Sequence, residues 1–324
     1  MRKLIFCTQR LDADDPVLAA TVPMVRALAA RVDELVVLCD TARTHVADNV
    51  RVHEFGAPNQ VLRGAKFTAA LARELRQRPD GVVAHMVPLY AVLAAPLVRP
   101  LGIPLVLWYT HWKGHAVVRA AGKVCTAVAS VDERSFPFPS KKVRALGHGI
   151  DAGEFFCTEQ PELPLRALVL GRYSPAKGLE TILEAARSAG VHVEAHGSDE
   201  TFEAYKRSLQ ERYPEADLRG PVPRAEVPEL FARSHVLVNN MRAGAPDKVV
   251  YEAAASCLPV LASNPVFDGL LPEELRFATD DVDELTAKLR TLDPRRRPEL
   301  RDVVARRHSV EHWADGLLAT VTGG

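Results

Sequence analysis

Two doubly wound α/β domains, each a largely parallel sheet with helices on both faces, are the architecture this sequence predicts. The chain of 324 residues suits about two domains at roughly 150 residues apiece. Short β-branched runs alternate with longer amphipathic stretches, the pattern of strands and covering helices. That rhythm breaks once, at the polar and proline-containing CTEQPELPL (residues 157–165), and then resumes. The expected domains are therefore 1–150 and 151–305, with a closing helix in 306–324 that packs back toward the first domain.

In the first domain KLIFC, ELVVLC, VRVHEF, GVVAHM, PLVLWY and TAVASV read as strands, and PVLAATVPMVRALAARV and AKFTAALARELRQR as helices. In the second, RALVLG, HVEAHG, DLRG, VLVNN, PVLAS and LRFAT read as strands. GLETILEAARSA, FEAYKRSLQERY, EVPELFARS and DKVVYEAAASC read as the helices between them, and SVEHWADGLLATV closes the chain.

Composition narrows the partners. Lys plus Arg number 41 and Asp plus Glu number 41, so no overall field draws the protein to nucleic acid or an anionic membrane. The five cysteines, Cys7, Cys39, Cys125, Cys157 and Cys257, are scattered without metal-ligand spacing and read as small buried hydrophobes in a reducing compartment. The apolar stretch 82–112 is broken by Pro88, Pro96, Arg99, Pro100 and Pro104, which argues for buried strands and helices and against a membrane span. Residues 1–16 read as a first strand and not a signal peptide. The expected location is cytoplasmic. FPFPSKKVR (136–144), basic and aromatic, is a candidate for peripheral contact with anionic lipid and equally a solvated loop.

In doubly wound sheets ligands bind beyond the carboxyl ends of the strands, so strand-to-helix loops carry the candidate residues. GRYSPAKG (171–178) leaves one strand and enters a helix with Gly171, Arg172 and Lys177 in it. A guanidinium fork and an ammonium beside a helix N-terminus suit a diphosphate, although two solvated loop cations have the same spacing. RAGAPDKVVYEAAASCLPVLAS (242–263) supplies a turn, then Asp247 as a helix N-cap, then Glu252 on a face otherwise filled with Val, Tyr and Ala. A carboxylate so placed needs a partner, either the two hydroxyls of a ribose or a neighbouring arginine.

Taken in order, GRYSPAKGLETILEAA, GPVPRAEVPELFARSHVLVNN and DKVVYEAAASCLPVLAS resemble the three donor-side motifs of the retaining glycosyltransferases of family 4 (glycosyl transferases group 1). GIPLVLWYTHW resembles the family's strand ending in a functional histidine, and KKVRALGHGIDAGEFF its interdomain segment, with His148 where asparagine is usual. The resemblance runs from about residue 82 to the C-terminus and more loosely before it. It implies the GT-B fold: two Rossmann-like domains facing across a cleft, the first binding acceptor and the second a nucleotide sugar. It implies a hexose-type sugar moved with retention of configuration from a UDP- or GDP-sugar to a hydroxyl of a small-molecule, glycan or lipid-linked acceptor. Arg172 and Lys177 would hold the diphosphate, Glu252 the ribose, and His111 would approach the sugar or acceptor, with His115 as its rival.

The chain departs from that family at Gly244, where a first glutamate is usual. Sugar recognition then falls to Gly244, Ala245, Pro246, Asp247 or Lys248. The loop TQRLDADDP also replaces a glycine pair after the first strand. Fixed cations and helix N-termini can stabilise a leaving diphosphate without metal, so no metal and no cofactor is expected. DADD (12–15), the nearest carboxylate cluster, reads as a helix-entering cap. Two other functions stay open: a sugar-nucleotide epimerase of GT-B architecture, which needs acid–base carboxylates at the sugar, and a non-catalytic nucleotide-sugar-binding protein. The absence of a GxGxxG after the first strand argues against a Rossmann dehydrogenase.

Overall fold

A computed structural model describes residues 2–15, 18–111, 113–241 and 246–323. The chain divides into two compact units, residues 1–149 with 307–324, and residues 150–306.

The first unit contains β1 (Lys3–Cys7), β2 (Arg10–Leu11), α1 (Thr21–Ala29), β3 (Glu34–Cys39), β4 (Thr41–Ala42), β5 (Val50–Glu54), α2 (Gln60–Leu75), β6 (Gly81–His85), α3 (Pro88–Val98), β7 (Leu105–Trp108), α4 (Ala116–Val124), β8 (Ala127–Ser130) and β9 (Val143–Ala145). Seven of these strands form a sheet in the order β5-β3-β1-β6-β7-β8-β9, parallel throughout. Every residue of β1 is buried, as a strand covered on both faces requires. Ile5 stands between Val36 and Val82 in register, and the core continues through Phe55, Phe67 and Tyr90.

The second unit contains β10 (Arg166–Leu170), α5 (Leu179–Ala189), β11 (His192–His196), α6 (Glu203–Arg212), β12 (Asp217–Arg219), α7 (Val227–Arg233), β13 (Val236–Asn239), α8 (Lys248–Ala255), β14 (Val260–Ala262), α9 (Val282–Thr291) and α10 (Pro298–Arg307). Its five-stranded parallel sheet runs β12-β11-β10-β13-β14. The connections reverse direction between β10 and β13, so the loops after these two strands diverge and leave a crevice at their carboxyl ends.

The closing helix α11 (Val310–Thr322) belongs to the first unit, where Trp313 meets Trp108 of β7 edge to face with centroids 5.5 Å apart. Gly147 has a left-handed backbone (φ 73°) and lies so close to the backbone of Arg307 and His308 that a Cβ there would overlap it.

Several expectations need correction. LRFAT forms no strand, only a bridge between Ala262 and Arg276. VRA (143–145) adds a seventh strand to the first sheet. Helices α9 and α10 were not foreseen. Cys157 and Cys257 are joined in a disulfide across 100 residues, with Cα atoms 5.1 Å apart, so only Cys7, Cys39 and Cys125 are free and buried. Spacing could not pair them because the fold, not the sequence, brings them together. Among the described residues no helix is long and apolar enough to cross a membrane, and no cluster of His, Cys, Asp or Glu could hold a metal ion. Asp15 of DADD, expected to cap the following helix, does not: its Oδ1 accepts from the Leu18 amide at 2.7 Å within a turn, whereas α1 begins at Thr21 behind Ala20 with no side-chain capping bond.

Candidate functional site

The crevice of the second unit is built by the loops after β10, β12 and β13. The loop after β10 leaves the sheet at Gly171, whose φ of 145° suits glycine and whose missing side chain makes room for Lys177: a Cβ there would lie 3.2 Å from Lys177 Cε and Nζ. Ser174 accepts from the Ala176 amide at 3.3 Å and starts a single turn, Pro175–Lys177, before α5. Tyr173 is buried, its hydroxyl within 2.9 and 2.8 Å of the carbonyls of Ala195 and Arg219, which ties the loop to the neighbouring strands. Arg172 is exposed at the rim of the pocket that Gly171, Lys177 and Asn239 also line, with no ion pair among the described residues.

Lys177 does not stay in its own loop. Its ammonium is paired with the carboxylate of Asp247, and the same Oδ2 accepts from Asn239 Nδ2 at 2.9 Å. The two motifs, 70 residues apart in sequence, therefore meet where the sheet's connections reverse. Asp247 occupies the N-cap position of α8 but makes no side-chain capping bond, which corrects the expected cap: its carboxylate is drawn to a full positive charge in preference to backbone amides. Pro246 before it is buried; Gly244 and Ala245 lie outside the described residues.

Along α8, Lys248 is half-buried and forms no ion pair among the described residues. Burial pushes its ammonium down to about 8, against the pull of Glu252, Glu154 and Asp151 and with the repulsion of Arg224. Glu252 is buried, and its Oε1 accepts from Arg224 Nη1 at 2.8 Å. Of the two partners foreseen for this carboxylate, the arginine is present. Oε2 takes no hydrogen bond from any described residue. Arg224 also donates from Nη2 to Glu154 Oε2 at 2.6 Å and lies over the Phe155 ring at 5.6 Å.

In the sequence Arg224 lies in GPVPRAEVPELFARS with no motif of its own, and Asn239 and Glu154 carry no local signal of a role here. The signal for Arg224 was Glu252 itself, a carboxylate on an apolar helix face that demands a cation.

In the first unit His111 follows β7 and is half-buried. Its Nδ1 accepts from the Lys113 amide at 3.0 Å, which leaves the ring proton on Nε2. His115 is exposed, at the N-cap position of α4 without a capping bond. His148 is buried. In the 136–144 patch, Phe136 is buried, Arg119 covers Phe138 at 4.7 Å, and Lys142 Nζ donates to the carbonyls of Lys123 and Cys125 at 2.8 Å each. Phe136, Phe138, Lys141 and Arg144 line an open groove of about 630 Å³.

Residues 173–319 match the model of a family described as Glycosyl transferase-like. Searched at the sequence level, the chain matches no curated protein. Among solved structures it is similar to an Anabaena protein, HepE, in complex with UDP and glucose, at 14% identity, with all of both chains covered and a TM-score of 0.77. It is similar to sucrose-phosphate synthase from Thermosynechococcus elongatus at 15% identity, covering 98% of this chain and 97% of the other, with a TM-score of 0.74. The chain has the GT-B fold. A candidate UDP-N-acetylglucosamine 2-epimerase from Listeria monocytogenes is also similar, at 12% identity over 99% and 96% of the two chains with a TM-score of 0.64, so the GT-B fold by itself does not choose between transfer and epimerisation.

Proposed function

We propose that the protein is a retaining glycosyltransferase of the family 4 type, moving a hexose-type sugar from a UDP- or GDP-sugar to a hydroxyl acceptor without a metal ion. The observation that carries this reading is the meeting of Lys177 and Asp247 at the reversal point of the second sheet, which gathers the motif after β10 and the motif on α8 into one crevice. Gly171, Arg172 and Lys177 serve the diphosphate. Glu252 serves the ribose through its open Oε2. The segment Gly244, Ala245, Pro246, Asp247 and Lys248 is assigned to sugar recognition.

As the glycosidic bond breaks, negative charge grows on the leaving diphosphate, and Arg172, Lys177 and Lys248 are the cations to meet it. Fixed charges need no reorganisation at that moment. The acceptor hydroxyl attacks on the face the diphosphate leaves, and the leaving oxygen takes its proton. By family likeness His111, with its proton on Nε2, polarises the sugar or acceptor and does not act as a base. The acceptor is a small molecule, glycan or lipid-linked sugar, and the setting is the cytoplasm.

The match of residues 173–319 to a glycosyltransferase-like family favours transfer over epimerisation. The test is a thermal-shift panel of nucleotide sugars, in which a ligand at 100 times its Kd adds about 2.7 kcal/mol, followed by assay of the stabilising donor with and without acceptors. Acceptor-dependent product with the donor's anomeric configuration is expected. Epimerised donor formed without acceptor would overturn the reading in favour of the epimerase, and stabilisation with no turnover in favour of a binding protein.

A further inference from the structure

Arg224 distributes its guanidinium in an unusual way. A guanidinium that only neutralises a carboxylate gains most from a two-pronged grip on both of its oxygens. Here Nη1 goes to Oε1 of Glu252 and Nη2 to Oε2 of Glu154, on separate chain segments. Nε is buried and has no hydrogen-bond partner among the described residues. The plane of the group is thus set by two carboxylates and the Phe155 ring, and Glu252 is gripped by one oxygen alone. Glu252 itself sits on an α8 turn whose neighbours Tyr251, Ala253 and Ala254 are buried, so the helix cannot rotate to offer the carboxylate differently. One oxygen is fixed and the other open.

We propose that Arg224 is a positioning residue for nucleotide recognition: it holds Glu252 by Oε1 so that Oε2 is presented to a ribose hydroxyl, with Glu154 as the counter-anchor that keeps the guanidinium in place. This rests on the reading of Glu252 as the ribose contact. A salt bridge of purely structural worth would affect folding and leave ribose selectivity untouched, which gives the inference its own readout.

The experiment measures, on the full chain by calorimetry, the affinity of UDP and GDP and of their 2′-deoxy and 3′-deoxy counterparts, with melting temperatures alongside. The wild-type protein should prefer the ribonucleotide by about tenfold or more, the value of a hydrogen bond to a charged group. Glu252→Gln should lose most of that preference, and Arg224→Gln should lose it to a similar extent although it touches no nucleotide. Glu154→Gln should lose part of it. If Arg224→Gln does not fold, Arg224→Lys carries the test, because a point charge can hold one carboxylate but cannot fork to two; its preference should fall part way. Wild-type preference in the foldable Arg224 variant, with Glu252→Gln reduced, overturns the inference and leaves the ribose reading intact. Equal binding of ribo- and deoxynucleotides by the wild-type protein, or undiminished preference in Glu252→Gln, overturns both.

Discussion

Each unit gathers a cluster of buried charge, at opposite ends of its sheet. In the first unit Glu74, at the end of α2, is buried and receives Lys3 Nζ at 2.9 Å and both terminal nitrogens of Arg51 at 2.8 and 2.7 Å; Arg51 also reaches Glu34 at 2.7 Å. Lys3, Glu34 and Arg51 stand at or near the starts of β1, β3 and β5, the amino edge of the sheet. Both oxygens of Glu74 are used. In the second unit the charges lie past the carboxyl ends of the strands, and among the described residues the cluster has open ends: Lys248 has no ion pair, Glu252 Oε2 no donor, and Arg172 stands exposed. A closed network at an amino edge has no capacity left for a ligand, whereas an open one at a carboxyl edge does. On the proposed reading, the difference separates charges that hold a fold from charges that bind the donor diphosphate.

The largest effect should come from breaking the closed network. Glu74→Ala removes the buried carboxylate that Lys3 and Arg51 share, leaving Lys3 with Gln77 and Arg51 with Glu34, and should cost about 3 kcal/mol of stability, seen as a lowered denaturation midpoint, with nucleotide affinity of the folded protein unchanged. The same residue sets an acid response. Hydrogen bonds from Arg51, and then from Lys3, outweigh burial and hold its carboxyl down at about 2, against 4.5 when free. A carboxyl depressed by folding contributes stability that is full above pH 4.5 and is lost as pH falls toward 2, on the order of 3 kcal/mol in all. Glu74→Ala should flatten that part of the stability–pH curve; an unchanged slope would show that other carboxylates govern acid unfolding.

Next come the cations assigned to the diphosphate. Lys177→Ala and Arg172→Ala should each lower the transfer rate by ~100-fold, roughly 3 kcal/mol of transition-state stabilisation, with denaturation midpoints close to wild type. Wild-type turnover in both would remove the diphosphate assignment. The comparison would break outright if the Lys177 variant behaved as Glu74→Ala does, losing stability instead of rate.

How far the sequence reveals this depends on what each feature obeys. The central strands were legible because β-branched runs buried on both faces have few alternatives. β9 and the stretch LRFAT were not: three-residue pairings at a sheet edge are decided by neighbours, not by propensity. Arg172, Lys177 and Glu252 stand out in the sequence as polar residues near strand-to-helix connections, and the structure sets Lys177 beside Asp247 and Glu252 beside Arg224. Arg224, Glu154 and the partner of Lys177 do not stand out, since each lies 28 or 70 residues from its counterpart and only the fold closes that distance. The disulfide escaped for the same reason. Asp247 misled because its position suits a cap, and position says nothing about a lysine waiting across the crevice.

Lys248 sharpens the contrast through pH. Burial brings its ammonium down to about 8, so it is charged below that pH and neutral above. If it meets the diphosphate, affinity for UDP or GDP should be full near pH 7 and fall by roughly tenfold as pH rises through 8, the value of one charge-assisted hydrogen bond. Lys248→Arg should keep its charge and abolish the fall. A flat profile in the wild-type protein would make Lys248 a bystander.

The smallest effect, and the finest test of an open cluster, concerns Asp247. Its pair with Lys177 is partly exposed, with both side chains 20% accessible, so in the unliganded protein it is worth only about 0.2–1 kcal/mol. No capping bond is at stake, so Asp247→Asn should leave stability within about 0.5 kcal/mol of wild type, and Asp247→Ala should lack the ~1 kcal/mol loss typical of a removed cap. A donor diphosphate must compete with this carboxylate for Lys177. Removing the competitor should tighten binding of free UDP or GDP by a few-fold, the inverse of the pair's worth. Transfer should nonetheless slow in Asp247→Asn if the carboxylate also contacts the sugar, and measuring affinity and rate constant together separates the two roles. Weaker nucleotide binding in Asp247→Asn would reverse the argument: Asp247 would then hold Lys177 in its binding position, and this corner of the second unit would be as closed as the network around Glu74.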